Sequence, residues 1–113
     1  MPNFSTVGQI ILQPYDQIEY NFKFNPAKSL TDKGAIPFGT NIAAVLVEVL
    51  DLKDSTSATS LIIVGTPTVT SNIVTCICKY PGYEGKFKFS FKLTLDSGFK
   101  KEFDFKRVES RII

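Results

Sequence analysis

Lys86-Phe87-Lys88-Phe89-Ser90-Phe91-Lys92-Leu93-Thr94-Leu95-Asp96-Ser97-Gly98-Phe99 is the stretch whose reading decides the fold. Apolar and polar residues alternate strictly from Lys86 to Leu95, the period of a strand with one dry and one wet face. Phe87, Phe89, Phe91, Leu93 and Leu95 take the dry face, opposed by Lys86, Lys88, Ser90, Lys92 and Thr94. Asp96-Ser97-Gly98 then supplies turn chemistry, and a type I turn with Gly98 left-handed pairs Leu95 with Phe99. In that register Phe91 faces Phe103, Phe89 faces Phe105 and Lys92 faces Glu102. A two-residue loop would slide the pairing by one, setting Phe91 against Asp104, which the hydrophobic pattern forbids.

Working outward, Gln17–Phe24 alternates in the same way, with Ile18, Tyr20, Phe22 and Phe24 on one face. Ile42–Leu50 reads Ile-Ala-Ala-Val-Leu-Val-Glu-Val-Leu, apolar on both faces. Ala and Leu would suit a helix there, but the β-branched content and short length favour a strand. It is expected to be central and covered on both sides, or to have an outer face that meets a partner. Shorter strands are expected at Gln9–Leu12, at Leu61–Val64 ahead of Gly65 and Pro67, at Thr68–Thr70 and at Ile73–Tyr80, with Phe99–Val108 as the last long one. The chain has 113 residues, enough for one domain with a single core. About seven short strands, turn signals between them and no long helix predict an all-β, immunoglobulin-like antiparallel β-sandwich over residues 1–113, with 1–13 as an N-terminal arm or edge strand. An OB-like barrel is the alternative. Residues Asn25 to Asn41 form the only long irregular stretch and are a candidate functional loop.

Composition narrows the chemistry. There are ten Phe and four Tyr but no His and no Trp. Without imidazole there is no Ser-His-Asp triad, no Cys-His pair, no His-rich metal cage and no near-neutral proton shuttle, so no enzyme is expected. Most of the Phe residues fall on alternating strands and read as core, Phe99 among them. Phe4 and Phe38 stand outside them. Cys76 and Cys78, two residues apart on a strand, share a face at about 6.5–7 Å between Cα atoms, too far for a comfortable disulfide. They lack the further Cys or His a zinc site needs and read as two reduced thiols used as small hydrophobes.

Three polar groupings could carry chemistry, and each has a plainer reading. Glu102 and Asp104 share a face at glycosidase spacing, but Lys92, Lys100 and Lys106 around them hold both ionised, whereas a general acid needs burial. Asp51 to Ser57 has the carboxylates of a calcium loop without its glycine or its closing Glu, and reads as a solvated turn. Lys86, Lys88 and Lys92, with Lys106 nearby, form a basic row, yet the aromatic rings that would stack bases lie on the opposite face. Catalytic residues, metal ligands and cofactors are therefore expected to be none, with no nucleic acid and no small-molecule substrate as partner.

The net charge of +2 is near balance, although nine basic residues stand against five acidic ones from Lys79 onward. Met1-Pro2-Asn3-Phe4-Ser5 lacks the basic and apolar regions of an export signal, and no stretch is apolar enough to cross a membrane, so a soluble product of a cytosol is expected. Apolar residues outside the strands are the candidates for contact with other subunits: Phe4, Ile36, Phe38, Tyr83 beside Pro81, Ile112 and Ile113.

Four passages carry a resemblance. They are Tyr20-Asn-Phe-Lys-Phe24 with the following Leu30-Thr-Asp-Lys-Gly34; Ile42 to Leu50; Gly65-Thr-Pro-Thr-Val69 to Val74; and Gly82-Tyr-Glu-Gly85-Lys-Phe87 with Leu93-Thr-Leu-Asp-Ser-Gly98. Over about residues 15 to 108 the sequence resembles a family of small phage virion proteins with an immunoglobulin-like fold, the fibre-tail adaptor, tail or baseplate-associated structural proteins. Phe87 stands where that family has Tyr, and Asp96-Ser-Gly98 replaces a tighter Asp-Gly turn. The resemblance implies a non-enzymatic virion component made in a bacterial cytoplasm. It would act by contact with other virion proteins and with copies of itself in a ring or multimer. A head decoration protein or a carbohydrate- or ligand-binding β-sandwich module is the alternative, sugar binding being disfavoured by the absence of Trp.

Overall fold

The computed structural model describes residues 8–31 and 34–112. The decisive hairpin consists of β6 (Gly85–Leu95) and β7 (Lys100–Ser110). Leu95 N–H donates to the Phe99 carbonyl at 2.8 Å and Gly98 N–H to the Leu95 carbonyl at 2.9 Å. Gly98 has φ +92°, a conformation an L side chain resists. The register pairs Phe91 with Phe103, Phe89 with Phe105 and Lys92 with Glu102, as the alternation requires.

Beyond Phe89 the pairing shifts, and Phe87 lies opposite Val108. Lys88 thus faces both Lys106 and Arg107, which are exposed together, while Val108 returns to the core. This bulge reverses the inside-outside parity of β7, which is why Val108 is buried although the inward residues before it, Phe103 and Phe105, are odd-numbered. On the outer side of β7, β1 (Ile10–Leu12) runs parallel to it, Ile10 beside Val108 and Leu12 beside Ser110.

On the other flank of β6 lies β3 (Ile42–Asp51), antiparallel, with Val47 opposite Phe91. The sheet order is β1-β7-β6-β3, so β3 is an edge strand. This corrects the expectation of a central strand covered on both sides. Val47 and Val49 are buried, whereas Leu46, on the outer face, is 56% exposed. A single helical turn, α1 (Thr59–Ile62), takes the first two residues of the strand expected over Leu61–Val64. β4 (Ile63–Thr70) then runs through Gly65 and Pro67 as one strand with an irregularity between Val64 and Thr68, rather than two short ones. It pairs with β5 (Ile73–Lys79), which pairs in turn with β2 (Gln17–Lys23).

The two sheets, β1-β7-β6-β3 and β2-β5-β4, pack as a sandwich. In chain order the second sheet holds the second, fifth and fourth strands, and the first holds the third, sixth and seventh with the first strand laid along the last. That is the immunoglobulin-like topology, and the barrel alternative falls away. Phe22 knits the sheets, its ring centroid 4.7 Å from that of Phe91 and 5.6 Å from that of Phe105. Phe24 extends the stack to Phe91 and Phe103. Phe99 does not join them: it is 72% exposed at the hairpin tip, a correction to its reading as core. Cys76 and Cys78 are buried and free, both on the inner face of β5. Burial pushes the Cys76 thiol up to about 12, and burial plus the neighbouring Cys76 raises Cys78 as well.

Candidate functional site at the two ends of the sandwich

Strand β6 spans 11 residues, so the loops before and after it are about 34 Å apart. The apolar side chains that remain exposed in loops gather at these two ends.

At one end, three loops distant in sequence are tied by side-chain hydrogen bonds. Asn41 N–H donates to Asp96 Oδ1 at 3.1 Å, and Asp96 N–H returns a bond to the Asn41 carbonyl at 2.9 Å. Asn72 Nδ2 donates to Asn41 Oδ1 at 3.0 Å, while Asn72 Oδ1 accepts from Ile42 N–H at 2.8 Å. Asn72 can do this because Ser71 and Asn72, at φ 50° and 64°, form the tight hairpin turn between β4 and β5. The frame joins the loop after β2, the β4–β5 turn and the β6–β7 turn. From it project Phe38, 49% exposed, and Phe99.

The long loop of this end is not loose packing. Ala27 N–H donates to the Ile36 carbonyl and Ala35 N–H to the Asn25 carbonyl, folding the loop on itself. Ile36 is only 1% exposed and belongs to the hydrophobic core. Its side chain is therefore not offered to a neighbour, a further correction. A Cβ on Gly34 would lie 2.2 Å from Ala27 N, so only glycine allows the two arms to approach.

At the other end the Tyr83 hydroxyl donates to Asp51 Oδ2 at 2.7 Å, and Lys53 N–H donates to Asp51 Oδ1. Asp51 is buried and these bonds supply the partners a buried carboxylate demands. The hydrogen bond to Asp51 leads in pushing the Tyr83 phenol up to about 12, helped by desolvation and the charges of Asp51 and Asp54. Ser110 Oγ donates to the Tyr83 carbonyl and Ile112 N–H to Glu84 Oε2, which holds the chain end against this turn. Tyr83 and Ile112 are exposed here, with Tyr15 and Leu52. Pro81 is buried. Phe4 and Ile113, the remaining candidates, lie outside the described residues.

The polar groupings make local hydrogen bonds and ion pairs. Asp54 Oδ1 accepts from Thr56 Oγ1 and Thr56 N–H, bonds that lower its carboxyl below the usual range, so within the Asp51–Ser57 loop Asp54 is met locally while Asp51 is met by Lys53 and Tyr83. Asp104 accepts from Ser90 Oγ and lies 3.9 Å from Lys88. Lys92 faces Glu102 in register but pairs with Glu48 on β3. Among the described residues no group of three or more Cys, Asp or Glu converges as a metal site, and no helix is long and apolar enough to cross a membrane.

Fold and site thus define an immunoglobulin-like sandwich that presents framed apolar side chains at both ends. Comparison with protein-family models gave no match, and comparison with curated proteins gave none. Of the apolar residues the sequence singles out, Phe38, Tyr83 and Ile112 are exposed at these ends, whereas Phe99 and the Asn41–Asn72–Asp96 frame are not singled out by it. Asp96 is legible as a turn residue, and Asn41 and Asn72 lie between segments read as strands. Their convergence is not legible, because the three segments meet only across the sandwich.

Proposed function

We propose that this chain is a non-enzymatic structural protein of a phage virion, in a tail, baseplate or fibre adaptor. It works by protein–protein contact within a symmetric assembly, built in the bacterial cytoplasm. One observation carries the reading: exposed apolar side chains sit on hydrogen-bonded frames at opposite ends of a rigid sandwich. Such a body acts as a spacer whose ends grip different neighbours, a heterologous contact that symmetry repeats and closes into a ring. Individually weak contacts then suffice, because repetition multiplies them.

Mass spectrometry and electron microscopy of purified particles from the source test the class, with the chain expected at defined copy number. Phe38→Asp, Phe99→Asp and Ile112→Asp should leave the fold intact and lower incorporation. Absence of the chain from particles would overturn the proposal, and undiminished incorporation of all three variants would overturn the role of the ends.

A further inference from the structure

A sheet edge is a row of unpaired donors and acceptors, and three of the four edges in this sandwich carry a device against pairing. β1 is three residues long, β2 displays Glu19 and Lys23 on its outer face, and β4 is interrupted at Gly65 and Pro67. β3 is the exception. From Ile42 to Val47 it has no charge and no proline.

The edge facing away from β6 can be followed group by group. Near one end Ile42 N–H donates to Asn72 Oδ1. Toward the other, Val49 N–H donates to Thr59 Oγ1 at 2.9 Å, the Val49 carbonyl accepts from Ala58 N–H, and Asp51 N–H donates to the Thr56 carbonyl. Beyond the irregularity at Ile42–Ala44, Val45 and Val47, which share the parity of Val49 and Asp51, have no such partner among the described residues. Leu46 lies between them on the outer face, 56% exposed, above a shallow groove lined by Ala44, Lys92 and Thr94.

We infer that this open edge of β3 pairs antiparallel with the same edge of a second copy of the chain, across a two-fold axis at Leu46. Setting Val45 opposite Val47 of the second copy, and Val47 opposite its Val45, uses the outward groups of both residues in four reciprocal hydrogen bonds. Centring the axis on Val45 would set Val47 against Ala43, which sits in the irregularity between Ile42 and Ala44. Sliding the other way drives the incoming strand into the Thr59 strap. In the Leu46 register the two leucines form a non-hydrogen-bonded pair, their Cα atoms about 4.5 Å apart, and cover each other. Charge does not oppose the pairing: Glu48 is already paired with Lys92 of its own chain, and from strand spacings like charges across the seam are about 14 Å apart, beyond the screening length. An uncharged edge whose outward groups complement themselves suits another copy better than a charged partner.

Sedimentation equilibrium of the whole chain, from micromolar to near-millimolar concentration, should show a mass rising toward about twice the 12.6 kDa of one chain. Over the same range hydrogen exchange at the Val45 and Val47 amides should slow. Leu46→Lys, a change at an exposed position, should keep the folded spectrum and weaken association at least tenfold. A monomer at every concentration overturns the proposal. So does a dimer whose Val45 and Val47 amides exchange as fast as in the monomer, a measurement on the unaltered chain that holds even if the variant fails to fold. The virion reading stands or falls separately: a chain that enters particles but never pairs through β3 would sustain that reading and overturn this one.

Discussion

Replacing Asn72 separates the two tasks the loop frame assigns to one residue. Asn72→Gly keeps the left-handed turn but removes both side-chain bonds. Ile42 N–H loses its 2.8 Å acceptor in a part-buried place, and Asn41 loses an exposed 3.0 Å donor. A half-buried donor left unpaired costs about 1–1.5 kcal/mol and an exposed bond about 0.5, so the glycine variant should lose about 1.5–2 kcal/mol. Asn72→Ala loses the same bonds and also holds a Cβ at φ 64°, which adds about 1 kcal/mol. For a domain of this size 1 kcal/mol lowers the melting temperature by about 4 °C, giving drops of about 7 °C for glycine and about 11 °C for alanine. Differential scanning calorimetry reads both, and amide exchange at Ile42 should accelerate in each. Glycine melting with the unaltered chain would show that the side-chain bonds do not hold the loops. Alanine no worse than glycine would refute the conformational part.

Gly34→Ala should cost about 2–3 kcal/mol, since the Cβ would meet Ala27 N at 2.2 Å and the loop carrying buried Ile36 must open; the urea midpoint should fall with an unchanged slope. Cys76 and Cys78 should resist a thiol reagent at pH 8 in the folded chain, because at a pKa of about 12 only about one Cys76 in 10,000 is thiolate. Both should react at once in guanidinium, and rapid labelling of the folded protein would contradict their burial. Tyr83→Phe should cost about 1 kcal/mol near neutrality, discounted for the partial exposure of the ring. The raised phenol pKa favours the neutral form in the fold, so this contribution is complete below pH 10 and fades as the pH rises through about 12. Chemical unfolding of both proteins at pH 8 and at pH 12 checks it, and a gap that fails to narrow would refute the assignment.

Alternation alone placed the β6–β7 hairpin in its register, because slipping by one residue would turn five apolar side chains of β6 into water. The same logic identified the inward face of β2 and the shared face of Cys76 and Cys78. It could not foresee the bulge at Lys106 and Arg107, since one extra residue breaks the period only when a partner strand measures it. Nor could it distinguish Ile36 from Phe38: both read as apolar residues in a polar loop, and only the fold of that loop against the core buries one and leaves the other outside. Phe99 was misjudged because alternation gives a face, not a depth, and a residue at a hairpin tip has no opposing sheet above it.

The sequence by itself determined that this chain is a β-sandwich with an aromatic core, no histidine, and two cysteines sharing one face of a strand. Those properties follow from residue type and local period, which act over a few neighbours. Tertiary structure alone decided that β3 is an edge, that Asn41, Asn72 and Asp96 close into one frame, and that the exposed apolar side chains divide between two ends. Each of these depends on which segment becomes whose neighbour across the sheets. That is settled by the packing of the whole core, and no single stretch encodes it.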